Sequence, residues 1–402
     1  MKSIVPVVAA LALAFSPIGN AGAAAKDPHV RTAPTKAGGK AKAGGKTTAR
    51  NGKAKPGKRL AIKSTRVIKA APLAAAATID YDGEHSNFLE WHAVREFIDE
   101  VAAQHGFDRP WLESLFGQAR FIDSAVQLVK PAPPGKPKNW QAYRDRFIEP
   151  IRIAAGVRFW NENAEALARA EAAYGVPAEI IVGIIGIETI YGRDTGKFRV
   201  LDTLATLAFA YPETPNRASR MAFFRSELVN TLLFAREHKV EPFSLLGSFA
   251  GAVGMPQFMP GSILKYGVDF NGDGQIDLRN SSEDAIGSVA NFLVQHGWNP
   301  EHRGAPVFAA DVSPNRAWEP LLERGLAATL RPEELRAAGV VTAAALPAER
   351  LYGLVDLQNG AEATEYWVAN DNFFAITKYN RSYFYAMSVI ELGRAVTVSR
   401  DS

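Results

Sequence analysis

Apolar residues recur at three- and four-residue intervals from Phe88 onward. Phe88, Leu89, Trp91, Val94, Phe97 and Ile98 would share one face of a helix, with Asn87 placed to cap its start. The same spacing predicts helices over Arg109–Gln118 and over 141–174. Between them, Lys130-Pro-Ala-Pro-Pro-Gly-Lys-Pro-Lys138 holds too many prolines for a helix and reads as an extended loop. Residues 177–300 read as helical around one irregular loop. The character changes over 305–368, where Pro306-Val-Phe, Val340-Val-Thr and Tyr366-Trp-Val are short strand-like pieces between turns, so a small β-containing subdomain is expected there. The chain returns through Asn372-Phe-Phe-Ala-Ile-Thr-Lys-Tyr-Asn380 to a closing helix from about Tyr383 to Val396, a second approach to the same cleft. No internal repeat is found, and the fold class expected is mainly α.

Composition changes this picture mostly at the amino terminus. With 402 residues, 47% hydrophobic and 22% charged, the chain can bury a large core in one large or two modest domains. Residues 1–25 have the pattern of a secretory signal: Lys2, an apolar run from Ile4 to Phe15, then Asn20-Ala21-Gly22-Ala23-Ala24-Ala25, with cleavage expected near Ala23–Ala25. The run is shorter than the roughly 20 residues that span a bilayer, and no later segment qualifies. The chain has no cysteine, hence no disulfide and no thiol for a lipid anchor. These features predict a soluble periplasmic protein.

The net charge of +4 conceals an asymmetry. Lys26 to Lys69 holds fourteen Lys or Arg residues and a single acid, Asp27, which leaves residues 71–402 at −10 once Lys2 is also removed. A stretch this rich in Ala, Gly, Lys and Thr has too little apolar surface to fold, so 26–78 is expected to be a basic disordered linker. It serves either as a spacer or as a tether to anionic headgroups or wall polymer. Export removes the reason to expect a nucleic-acid partner. The folded region is 79–402.

The segment Val176-Pro-Ala-Glu-Ile-Ile-Val-Gly-Ile-Ile-Gly-Ile-Glu188 starts a helix with Pro177 near its first turn. Glu188 follows Ile185, Ile184 and Ile181 by three, four and seven residues, so it projects from their apolar face. A carboxylate there is either neutralised by a cation or keeps its proton at neutral pH. The structural alternative is a Glu bonded to nearby backbone or to Arg193. Gly183 and Gly186 cost the helix about 1 kcal/mol each relative to Ala, and ask for a close-packing or substrate-approach reason. A protonated carboxyl is what glycoside cleavage requires as a general acid.

Ile184-Ile-Gly-Ile-Glu-Thr-Ile-Tyr-Gly-Arg193 resembles the catalytic motif of the membrane-bound lytic transglycosylase B family. The resemblance continues in order through Leu201-Asp-Thr-Leu-Ala-Thr-Leu-Ala208, Gly247-Ser-Phe-Ala-Gly-Ala-Val-Gly-Met-Pro-Gln-Phe-Met-Pro260, Val268-Asp-Phe-Asn-Gly-Asp-Gly274, Asp284-Ala-Ile-Gly-Ser-Val-Ala-Asn291 and His296-Gly-Trp298. It implies a lysozyme-like α-helical catalytic core at 177–300, a discontinuous helical domain and the small β subdomain at 305–368. It also implies Glu188 as the catalytic residue, with Ser248 and Gln257 holding sugar hydroxyl and acetamido groups and Phe258 packed beneath them. Tyr143, Tyr379 and Asn380 match the family's cleft tyrosines and Tyr-Asn pair, and Tyr191, Ser382 and Tyr385 belong to the same groups. Arg220 falls where the family carries an arginine for the anionic peptide stem; its alternative is a solvated helix face. Phe292 departs from the Tyr common among relatives, losing any bond that hydroxyl makes.

Asp269, Asn271, Asp273 and Asp277 occupy positions 1, 3, 5 and 9 of an EF-hand-like loop, with Gly274 at 6 and the Gln275 carbonyl at 7. Position 12 is Asn280 rather than Glu; the resemblance implies closure of the loop, 269–284, by Asp284. The expected cofactor is a structural calcium ion, and no organic cofactor is expected. A zinc protease and a serine hydrolase lack their motifs here.

The reaction expected is cleavage of the peptidoglycan MurNAc–GlcNAc β-1,4 bond with a 1,6-anhydromuramoyl product and Glu188 as sole acid and base. The alternatives are a hydrolytic muramidase using Asp194 or Asp202 as a second carboxylate, or a non-catalytic peptidoglycan-binding protein. Asp194 is read as paired to Arg193 and Asp202 as capping the next helix. The partners expected are glycan strands and proteins of cell-wall synthesis or division.

Overall fold

The computed structural model describes residues 88–131 and 137–402. The signal and linker expectations, Asn87 and most of the proline-rich loop lie outside the described residues. Fifteen α-helices carry the described chain, with the β elements confined to two small sheets.

The centre is the helix Ala178–Thr189, whose residues from Ile180 through Thr189 are all buried. Such a helix is apolar all round, as expected for one enclosed by others. Its main neighbour is the closing helix Tyr383–Arg400. Missing side chains explain how close the two approach. A Cβ on Gly183 would lie 2.3 Å from the Val389 carbonyl oxygen, and one on Gly393 would lie 2.2 Å from that of Glu179. Pro150–Glu162 flanks this pair, Val200–Phe209 packs on Arg217–Glu237, and Ser282–Gln295 packs on Ala164–Tyr174 and Asp371–Tyr379.

The continuous helix expected over 141–174 is three: Trp140–Arg144, Pro150–Glu162 and Ala164–Tyr174. Pro150 can begin a helix but not continue one. Glu149 caps the new start, its carboxylate accepting from the Ile151 and Arg152 N–H groups at 2.8 and 2.7 Å. Asn163, at φ −120°, breaks the second from the third. Arg109–Gln118 forms as expected, and the closing helix runs to Arg400.

The β subdomain is an antiparallel sheet in the order Val340–Thr342, Val307–Val312, Glu362–Ala369, Gly353–Asn359. Val355 and Ala309 pair with Trp367 from opposite sides, and a register shift interrupts the last pairing between Leu357 and Asn359. Gly353–Asn359 lacks the alternation that marks a half-exposed strand, being buried at most positions, and escaped the pattern reading. The sheet covers its own small core of Trp318, Leu330, Leu335, Val340, Tyr352, Leu354 and Val368.

Candidate active site

Glu188 stands one residue before the end of the buried helix. The helix stops after Thr189 because Ile190 and Tyr191 take left-handed backbone, φ 51° and 58°, followed by Gly192 at 88°. This turn carries Arg193 away from Glu188; it is exposed and lies 3.8 Å from Asp194. Glu188 is 5% exposed, and no cation pairs with it among the described residues. Its partner comes from the closing helix: the Tyr385 hydroxyl donates to Oε1 at 2.6 Å, while Oε2 is buried without a partner. Burial pushes the Glu188 pKa up to about 8, and the Tyr385 hydrogen bond pulls it partly back. The group is therefore a carboxylic acid at neutral pH.

Three tyrosines enclose it. Burial, and after it the Glu188 charge, raises Tyr385 and Tyr379 well above the ordinary phenol range, and the same two causes raise Tyr143 to about 12. All three remain neutral donors. Tyr379 stacks at 6.3 Å on Tyr385 and donates to the Pro256 carbonyl at 2.5 Å. That carbonyl belongs to a tight loop, with Gly254 at φ 74° and Gln257 at φ 52°. The loop is held from several sides. Met255 donates its N–H to the Leu278 carbonyl at 2.7 Å, and its carbonyl accepts from the Thr189 hydroxyl at 2.9 Å. The Gln257 amide donates to the Gly254 carbonyl at 2.9 Å and the Thr195 carbonyl at 3.3 Å. Phe258, buried, contacts Tyr379 and Phe292 at 5.8 and 5.5 Å. The result is a neutral acid among phenols, next to an aromatic floor, and among the described residues no second carboxylate acts on it.

Residues 90–394 match the transglycosylase SLT domain family. The chain belongs to that family. It is a lytic murein transglycosylase of the B type, 43% identical over 316 residues to membrane-bound lytic murein transglycosylase B of Escherichia coli K12, an alignment covering 76% of this chain and 83% of the relative. The solved structure of the E. coli lytic transglycosylase Slt35 in complex with calcium is similar at TM-score 0.70 and 41% identity, covering 79% of this chain and 96% of that one. SltB3 of Pseudomonas aeruginosa, in complex with NAG-anhNAM-pentapeptide, is similar at TM-score 0.65 and 27% identity, covering 78% and 80%. The lysozyme-like helical fold of these transglycosylases is the fold of this chain.

Other expected site residues of the transglycosylase stand in varied surroundings. Ser248 shapes its own turn, its hydroxyl oxygen accepting from the Ala250 and Ala252 N–H groups. Ser382 caps the closing helix by accepting from the Tyr385 N–H at 3.3 Å, and Asn380 ends the helix before it. Tyr191 packs on Phe159 at 5.1 Å with its hydroxyl lodged against Gly156 and Gly186, rather than bonded to Glu188. Arg220 does not lie on a solvated face: it is buried among the rings of Tyr211, Phe223 and Phe224. Phe292 packs between Tyr379 and His296 at 4.8 and 3.9 Å, so the floor carries no hydroxyl at this position. Asp202 is not a helix cap. It lies inside Val200–Phe209, fully buried, accepting from Arg199 Nε at 2.5 Å and the Arg120 N–H at 3.1 Å.

The acidic loop is closed by Asp284, which is buried beneath it. Its Oδ1 accepts from the Phe270 and Asn271 N–H groups and its Oδ2 from Asp277. Asp269 accepts from Gly272, Asp273 and Gly274; Asn271, Asp273 and Gln275 are exposed. The donor chemistry is all oxygen, which suits a hard divalent cation. Among the described residues no three acidic or histidine side chains converge as a metal cluster, because these oxygens face the loop's own N–H groups.

Sequence reasoning missed Thr189. A hydroxyl immediately after the buried Glu188 was its one signal.

Proposed function

We propose that this transglycosylase cleaves the β-1,4 bond between N-acetylmuramic acid and N-acetylglucosamine, with Glu188 as its only acid and base. The observation that carries this reading is the neutral, buried Glu188 carboxyl, with Oε1 tied to Tyr385 and Oε2 left for substrate. The proton on Oε2 passes to the bridging oxygen as the bond from that oxygen to the muramoyl C1 breaks. The resulting carboxylate, held by the Tyr385 hydroxyl, then takes the proton of the muramoyl O6 hydroxyl while O6 bonds to C1. A 1,6-anhydro ring closes, the original proton stays on the released sugar, and no water enters. Attack by an internal hydroxyl has the advantage of proximity, and the substrate acetamido group can hold the oxocarbenium-like centre.

Hydrolysis normally uses a second carboxylate. Asp202 is engaged by Arg199, and Asp194 is exposed beside Arg193, which favours the single-acid reading. The anhydro ligand of SltB3 supports it as well. Mass spectrometry of muropeptides released from peptidoglycan tests it: 1,6-anhydromuramic ends are expected, and reducing muramic ends would replace this mechanism with a muramidase.

The sequence pattern of residues 1–25 and the substrate class support work in the periplasm. No single helix among the described residues is long and apolar enough to cross a membrane. Asp269, Asn271, Asp273, the Gln275 carbonyl, Asp277 and Asp284 would hold calcium, by exchanging loop N–H groups for the ion. Melting with added calcium or chelator, compared between the native chain and Asp273→Ala, tests this: calcium should raise the melting temperature of the native chain alone.

A further inference from the structure

The helix Arg217–Glu237 carries a buried acid that the proposed reaction does not use. Glu227 is 8% exposed, and Glu188 does not feel its charge. Its side chain reaches across to a different helix: Oε2 accepts from the Gly261 N–H at 2.7 Å, at the start of Pro260–Tyr266. Burial raises the Glu227 pKa, and the Gly261 N–H, the Asn230 side chain and Lys265 pull it back, in that order. The fit is close because residue 261 has no side chain. A Cβ there would lie 2.5 Å from Asn230 Nδ2 and 3.0 and 3.2 Å from the two Glu227 oxygens.

Pro260–Tyr266 cannot complete its own start. Met259 stands in the capping position with no side-chain oxygen to offer, and Pro260 has no N–H. The Ser262 and Ile263 N–H groups both turn to the Met259 carbonyl, at 2.8 and 3.0 Å. The buried Gly261 N–H is left to find its acceptor outside the helix, and Glu227 supplies it. This contact closes one end of the cleft loop. At the other end Met255 is tied to Thr189 and Leu278. Phe258 exchanges N–H···O bonds with Val253 at 2.8 and 3.1 Å, so the loop moves as a unit. Gln257 and Phe258 therefore stand between a tie to the helix of Glu188 and a tie to the helix of Glu227. The first sets the loop against the acid, and the second sets where its floor lies.

We infer that Glu227 is a positioning residue of the cleft: by holding the Gly261 N–H it fixes the far end of the loop that carries Gln257 and Phe258, and so governs how tightly the glycan is held. The inference rests on the murein reading above. It assigns to Glu227 an effect on KM rather than on kcat.

The test is steady-state release of muropeptides from peptidoglycan by the full chain, with KM and kcat separated. Glu227→Leu leaves the Gly261 N–H buried without an acceptor. It should raise KM about fivefold and leave kcat within about twofold, because Glu188, Tyr385 and Thr189 are untouched. Glu227→Gln keeps an oxygen for the same N–H and should return KM to within about twofold of native. A purely structural role would lower the folded fraction, and with it kcat per mole of chain, at unchanged KM. A native KM in Glu227→Leu, a raised KM that Glu227→Gln does not restore, or a fall in kcat larger than the rise in KM overturns the assignment. If Glu227→Leu does not fold, Gly261→Ala serves: its methyl pushes the carboxylate off the N–H and should raise KM in the same way, and a native KM there overturns the assignment too. If the native chain releases no muropeptides, the murein reading fails, and hydrogen exchange of the Gln257, Phe258 and Gly261 amides carries the test. Exchange should quicken about tenfold in Glu227→Leu and stay native in Glu227→Gln. Unchanged exchange in Glu227→Leu would show that Glu227 does not hold the loop.

Discussion

The Tyr385 hydroxyl meets Glu188 Oε1 at 2.6 Å, joining side chains 197 residues apart. Because this bond favours the carboxylate, it holds the Glu188 pKa below the value that burial alone would set. Tyr385→Phe should therefore shift the alkaline limb of the pH–kcat profile upward from about 8. It should also lower kcat roughly tenfold, the worth of one hydrogen bond to a charged group. An unshifted limb would mean that Glu188 is not the titrating acid.

Glu188→Gln should lower turnover by about a thousandfold or more, as loss of a general acid does. It should also change how stability depends on pH. Glu188 holds its proton up to about pH 8 when folded, against an ordinary value of 4.5. Between those values the folded chain binds more protons than the unfolded one, so stability falls as pH rises through the window. Above pH 8 the native chain bears the full penalty of a buried carboxylate, on the order of a few kcal/mol. The amide variant should thus melt higher than the native chain at pH 8 and alike at pH 4.5. Denaturant unfolding at the two pH values measures this.

The acid itself was legible because helical periodicity alone sets Glu188 on the Ile181, Ile184 and Ile185 face. Its partner was not: nothing local links position 188 to 385, and that pairing depends on how two distant helices dock. Gly183 and Gly186 announced a close approach without saying to what. The split of 141–174 could have been read from Glu149-Pro150, a cap followed by a first-turn proline. Asp202 illustrates the reverse error, since an acid near a helix start resembles a cap until a buried Arg199 claims it.

Thr189 joins the end of the helix that carries Glu188 to the loop that carries Gln257. Its hydroxyl donates to the Met255 carbonyl and accepts from the Gly192 N–H at 3.0 Å. Thr189→Val keeps the shape and leaves both groups unsatisfied, at a cost of roughly 1–3 kcal/mol. With the loop loosened against Glu188, kcat should fall several-fold, and Thr189→Ser should restore both kcat and melting temperature. A Val variant with native kinetics would leave Thr189 without a positioning role.

Gly183 and Gly186 should respond differently to alanine although they share one helix. At Gly186 the new methyl would meet the Tyr191 hydroxyl at 2.4 Å, the ring carbon that bears it at 2.6 Å and a Leu392 methyl at 2.8 Å, all of them side chain. At Gly183 it would meet the Val389 carbonyl at 2.3 Å, which is backbone and yields only if the closing helix moves. Alanine gains about 1 kcal/mol of helix propensity at either site, and overpacking costs about 1–3 kcal/mol. Gly186→Ala should therefore be the milder of the two and Gly183→Ala destabilising by roughly 2 kcal/mol. The same movement has a catalytic consequence, since Tyr385 lies one turn before Val389 on the helix that would be displaced. Gly183→Ala should lengthen the Tyr385–Glu188 bond and move the alkaline limb of kcat upward, in the direction expected for Tyr385→Phe. Gly186→Ala should leave that limb in place. Equal effects from the two alanines, on stability and on the limb, would show that the helix contact at Val389 does not set the geometry of the acid.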